Sequence, residues 1–244
     1  MGAVVLAASY VQASAGFSFS IFVVAIASGF SLMPLWHLTE LVSALVVCNA
    51  AVAIKASRHR PDPRMIAPIL AGLLPAVGVG VWILSAIRNQ HVNWALMMLG
   101  AVTVAAALSL ITRPTRAAYG ASMRNRFLTG VAAGLLGGTL AAPGPPLVMS
   151  LYREPVAVAQ VRVSLLTILL IFGATRLVAA QAASPSIAES LLLIAIYGPA
   201  SMLGALIGAR LPPPLSEQSL RRSVFAILLL VGSMLFVDGL SGQW

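Results

Sequence analysis

Few residues of this chain can do chemistry, because 59% of its 244 residues are hydrophobic and only 9% are charged. The polar ones that stand out fall at two interruptions of apolar helical sequence. One is AGFSFS at 15 to 20, preceded by Gln12; the other is AAPGPP at 141 to 146, inside GGTLAAPGPPLVMSLYREP. A helix that begins inside hydrocarbon presents N–H groups with no water to bond and the positive end of its dipole, a combination that attracts an anion. Pro145 and Pro146 suit a first helical turn, where their missing N–H groups would be orphans anyway, and Gly144 lets backbone approach a ligand closely. At the other interruption Ser18 and Ser20 can cap a helix that starts near Phe19, and their hydroxyls can also donate to an oxyanion. The chemistry these types and spacings offer is binding of a small anion.

The remaining polar positions give that reading its periphery. Arg162 lies six residues into an apolar helix, with Gln160 beside it; the sequence leaves open whether Arg162 contacts the anion or snorkels to the interface. Arg176, near the other end of the same helix, reads as a snorkelling anchor on the outer face. His37 and Glu40 are adjacent on one helix turn and are the candidates for coupling to protons, set against a plain interfacial role for His37. Cys48 is the sole cysteine, so no intramolecular disulfide and no thiolate metal cluster is expected. The six acidic residues form no paired cluster, and HExxH, Walker and GxSxG patterns are missing. The sequence therefore predicts no enzyme, no cofactor and no metal site.

The elements that must position these residues are membrane helices. With a mean hydropathy of +0.97, too little polar surface exists to cover a soluble globule. Apolar runs lie at about 3 to 33, 35 to 54, 65 to 86, 94 to 112, 127 to 151, 156 to 181, 188 to 209 and 223 to 238, each near the ~20 residues that cross a bilayer. The formal charge of +9 sits in short loops, chiefly at 55 to 64, 113 to 126 and 210 to 222, which marks them as cytoplasmic rather than as a nucleic-acid surface. The N-terminus imitates a signal peptide, with small residues at 13 to 15, but no Lys or Arg precedes Lys55, so cleavage is not expected.

Eight simple crossings would put the loop at 210 to 222 on the wrong side. One block must turn back, and the segment from Arg126 to Arg153 is nominated by its prolines. Two arms of about 12 residues would each reach ~18 Å, near the bilayer midplane. Residues 3 to 33 are likewise longer than one span needs, with AGFSFS in the place of AAPGPP. The expected fold is an all-α integral membrane protein of two inverted repeats, residues 1–120 and 121–244. Each repeat is a re-entrant or broken hairpin, at about 3–33 or 127–153, followed by three spans, an arrangement found in secondary transporters. Whether the first segment is a hairpin or a single span is not fixed by charge.

With AGFSFSIFVVAIAS in the first half and GLLGGTLAAPGPPLVMSLY followed by VRVSLLTILLIF in the second, the whole chain resembles the sulfite exporter TauE/SafE family, also called the toluene-sulfonate uptake permeases. That family's first half carries a Gly-Phe-Gly-Phe-Gly-like turn. Here Gly16-Phe17 is kept, and Ser18 and Ser20 replace glycines. Its second half has a turn ending in Gly-Gly-Pro, of which Gly144 and Pro145 remain while Pro143 replaces the preceding glycine. The resemblance implies transport of sulfite, sulfonates or related small organic anions, commonly outward across a bacterial inner membrane. Phe17, Phe19 and Trp36 would then be candidates for walling the organic part of a sulfonate. The partners expected are the anion and the bilayer, and homo-oligomerisation is left open. The rivals are a channel with paired re-entrant loops, which an Asn-Pro-Ala at each tip would favour and neither tip has, and a membrane scaffold that transports nothing.

Overall fold

The computed structural model describes residues 1–15, 19–30, 35–57, 59–87, 120–183 and 187–210, together with helical positions between 97 and 108 and between 226 and 240. The chain is all-α. The first half gives α1 (Gly2–Ala15), α2 (Phe19–Gly29), α3 (Leu35–Ala56) and α4 (Pro63–Ile87); the second gives α5 (Met123–Leu140), α6 (Gly144–Leu151), α7 (Val158–Ala183) and α8 (Ile187–Arg210). Among the described residues, four stretches are long and apolar enough to cross a membrane: Trp36–Ala56, Pro63–Ala86, Val158–Ala182 and Leu192–Arg210. These match four expected blocks to within a few residues. Of the blocks at 94 to 112 and 223 to 238 only parts are described, but those parts touch, since a methyl group on Gly100 would stand 2.6 Å from the Phe236 nitrogen.

Both interruptions separate helices. α5 ends at a left-handed residue, Ala141, with φ 54° and ψ 26°. Proline at 143 bars Ala142 from helical backbone, which stops the helix there. The Ala141 N–H folds back to the Gly137 carbonyl at 2.8 Å. Holding an alanine in this conformation costs about 1–3 kcal/mol, so the packing around the break must over-determine it. The chain resumes as α6, with Pro145 and Pro146 in its first turn, as the sequence predicts. The arms are unequal, however: α5 has 18 residues and α6 only eight. The Ser122 hydroxyl caps α5 by accepting the Asn125 N–H, which starts that arm a turn earlier than the apolar pattern suggests.

The packing pattern is unchanged when the halves are exchanged. α1 packs on α8 as α5 packs on α4; α3 packs on α8 as α7 packs on α4; α1 touches α2 and α3 as α5 touches α6 and α7; α2 meets α3 as α6 meets α7. α3 and α7 pack on each other and map onto themselves. The first arm of each half thus lies against a long helix of the other half. Glycines let the backbones close in: a methyl on Gly134 would fall 2.6 Å from the Leu73 carbonyl oxygen across α4–α5, and one on Gly204 would fall 2.5 Å from the Leu6 oxygen across α1–α8. Small residues play this part in membranes because lipid supplies no hydrophobic drive and contact must come from close fit.

One end of the molecule is tied together by charge. Arg126 at the start of α5 grips Glu154, just beyond α6, through Nε–Oε1 at 2.9 Å and Nη2–Oε2 at 3.0 Å. Its Nη1 also donates to the Arg64 carbonyl at 3.2 Å. Beside it the Asp62 N–H, at the head of α4, donates to Ser164 of α7 at 3.3 Å. The loop at 55 to 64, the start of α5, the end of α6 and the start of α7 therefore meet at one basic end.

Candidate functional site

The two helix starts that follow the interruptions stand side by side. Phe19 at the head of α2 is fully buried, Ser20 is 7% exposed, and Gly144 at the head of α6 is buried. The Ile21 side chain, in the first turn of α2, reaches to 4.0 Å from where a methyl on Gly144 would sit. Two positive dipole ends are thus brought to one buried region, where Gly144 is the one residue among the first three of α6 that has an N–H, since Pro145 and Pro146 have none. Ser18 lies outside the described residues.

Gln12, on the turn of α1 before the first break, is 1% exposed, and its Nε2 has no hydrogen-bond partner among the described residues. A buried amide donor left unsatisfied costs about 1–3 kcal/mol. Its surroundings are polar. Asn49 of α3 donates to the Ser9 carbonyl at 3.2 Å, and the Ser9 hydroxyl donates to that of Ser201 on α8 at 3.0 Å.

The structure corrects the reading of Arg176. It is no anchor at the outer interface but a fully enclosed residue, 1% exposed. Its Nε donates to the Gly137 and Gly138 carbonyls at 3.0 and 3.2 Å, and its Nη1 to the Thr39 carbonyl at 2.9 Å and the Ser43 hydroxyl at 3.1 Å. Glu40, 2% exposed, adds an attractive charge. The physical reason lies at the end of α5. A helix that stops in an apolar interior leaves carbonyls unpaired and carries the negative dipole end, and a buried arginine answers both. One turn earlier on the same face of α7, the Phe172 ring packs against Gly137, where any side chain would collide with it.

The other predicted residues are more scattered. Arg162 and Gln160 are half-buried at the basic end. Arg162 is separated from Arg176 by about 21 Å of helix at 1.5 Å per residue. Pro145 and Pro146 are half-buried, and Pro146 closes one end of a groove of about 540 Å³ between α5 and α6. Asn125, Thr129 and Ser150 line its length, and Arg153 stands at its other end. His37 is half-buried one turn before the enclosed Glu40. Among the described residues no group of three or more His, Cys, Asp or Glu gathers as metal ligands.

Comparison with known proteins agrees with this architecture. The chain is 29% identical over 235 residues to a protein of Cupriavidus necator described as a probable sulfite/organosulfonate exporter TauE, covering 96% of this chain and 92% of the relative. No solved structure matches it. The description Sulfite exporter TauE/SafE matches residues 1–235. A multi-pass chain of apolar helices matched over nearly all its length in this way belongs to the sulfite exporter TauE/SafE family, whose members are membrane transporters and not enzymes.

Proposed function

We propose that this chain is a secondary transporter of the bacterial inner membrane that exports small sulfur-containing anions, sulfite or an organosulfonate. The anion head group sits between the N-termini of α2 and α6, held by backbone N–H groups around Phe19 to Ile21 and, within Gly144 to Leu147, by those of Gly144 and Leu147, since Pro145 and Pro146 have none. The observation that carries this reading is the meeting of the two buried helix starts, Ile21 against Gly144. Gln12 Nε2 supplies a side-chain donor of the right kind nearby in sequence. The choice of sulfur rests on the family and on the printed name of the Cupriavidus relative.

In this reading α5 and α6 form a re-entrant hairpin whose ends return to the cytoplasmic face, which the Arg126–Glu154 pair supports by joining those ends. The exchange-invariant packing supports two inverted repeats, with α1–α2 as the counterpart of α5–α6. The groove from Arg153 to Pro146 is then a cytoplasmic approach, and Arg162 and Gln160 belong to the mouth rather than the binding centre. Glu40 and His37 are the groups proposed to couple export to protons.

The test is reconstitution in liposomes with labelled sulfite, sulfoacetate, taurine, isethionate, phosphonates and carboxylates. Saturable flux of sulfite or a sulfonate, accelerated by unlabelled substrate on the opposite side, is the expected result. Non-saturating flux would replace the carrier by a channel, and no flux of any anion would leave a scaffold.

A further inference from the structure

Arg176 makes contacts that the transport reading does not by itself require. Its four hydrogen bonds run to two carbonyls at the end of α5, beside the second half's break, and to α3 of the first half. Gly137 and Gly138 are the fourth- and third-last residues of α5, so the guanidinium holds the end of the arm just before the chain turns through Ala141 into α6. Thr39 and Ser43 lie one turn apart on α3, and the Ser43 hydroxyl itself donates to the Thr39 carbonyl at 2.6 Å. The Nη1 donor therefore meets a hydroxyl and a carbonyl already fixed to each other. Only the planar fork of arginine reaches both helices at once. Three residues separate Leu140 from Gly144, so displacing the end of α5 displaces the start of α6.

We propose that Arg176 is a positioning residue for transport: by clamping the Gly137 and Gly138 carbonyls to Thr39 and Ser43, it fixes where the α6 N-terminus stands against α2. The proposal rests on the reading that this N-terminus binds the anion. Arg176 touches no substrate; it acts through the backbone of the break. Its charge alone is not what matters, because an ammonium at the same place keeps the charge and loses the two-helix grip.

The variant that separates these is Arg176→Lys in the full-length protein, read by hydrogen exchange and by sulfite binding. The expected result is faster amide exchange over residues 136 to 148, by about tenfold or more. Exchange in the first turns of α5 should stay unchanged, and sulfite affinity should fall by about tenfold. Ser43→Ala removes one of the four contacts and should move both readouts the same way by about threefold, which serves if Arg176→Lys does not fold. Unchanged exchange at the break in a folded variant overturns the positioning role. Faster exchange with unchanged sulfite affinity overturns instead the location of the anion, and with it the consequence for transport.

Discussion

Replacing Gly144 by alanine should separate the anion site from the scaffold that carries it. The nearest atom to the added methyl is Ile21 Cδ1 at 4.0 Å, an ordinary contact distance, and Gly144 does not adopt a left-handed conformation. Alanine at a compatible helical position restricts the unfolded chain and favours the folded one by about 0.4–1 kcal/mol. The melting temperature should therefore hold or rise slightly. An anion held by the Gly144 N–H, the one N–H among the first three residues of α6, would bring an oxygen to about 2.9 Å from that nitrogen, beside the position the methyl takes. Losing or lengthening one charge-assisted hydrogen bond costs about 1.5–3 kcal/mol, which weakens binding by about ten- to a hundredfold. Calorimetric titration with sulfite, beside a thermal melt of the substrate-free protein, reads both quantities. Wild-type sulfite affinity in a stable Gly144→Ala protein would refute the placement of the anion at α6.

Three further substitutions probe the frame and the site. Gly134→Ala puts a methyl 2.6 Å from the Leu73 oxygen and 2.7 Å from Ala76 Cβ, so it should destabilise by about 1–3 kcal/mol while the folded fraction keeps its affinity. An unchanged melting temperature would count against the α4–α5 glycine seam. A double-mutant cycle of Arg126→Gln and Glu154→Gln should show a coupling of about 1–2 kcal/mol, because Glu154 is 3% exposed and the pair is bidentate; additive effects would dissolve the clamp. Gln12→Met removes a buried donor that has no acceptor, so the substrate-free protein should melt at the same or a higher temperature while sulfite binding weakens. Unweakened binding would remove Gln12 from the site.

What could be read in the sequence follows from which physical signals are local. The four long spans were legible because ~20 apolar residues between charged loops admit few other structures. The break at 141 to 146 was legible because three prolines and a glycine crowd into four residues, whereas the isolated Pro68, Pro75 and Pro199 leave α4 and α8 continuous. The unequal arms were not, since the Ser122 cap and the left-handed Ala141 that set their ends give no signal in an apolar pattern. That Ile21 approaches Gly144 depends on how two halves far apart in sequence dock, and no spacing encodes it.

Arg176 failed to declare itself for a more instructive reason. It lies seven residues from the end of α7, about 10 Å by helical rise, close enough for an arginine to snorkel. Distance to the interface therefore favoured the wrong answer. What decides its place is the other end of the same break that drew attention to Gly144. A helix interrupted within a membrane creates two termini, and reasoning only from the N-terminal one leaves the carbonyls of the C-terminal one unaccounted for. Gly138 offers such a carbonyl and Gly137, which already accepts the Ala141 N–H, a second lone pair, and a cation is their favoured partner. Once an interrupted helix is inferred, the presence of a basic residue on a following apolar helix is thus a second signal of the same break. Glu40 then follows as its charge partner, for a guanidinium so fully enclosed is costly unless a carboxylate is near.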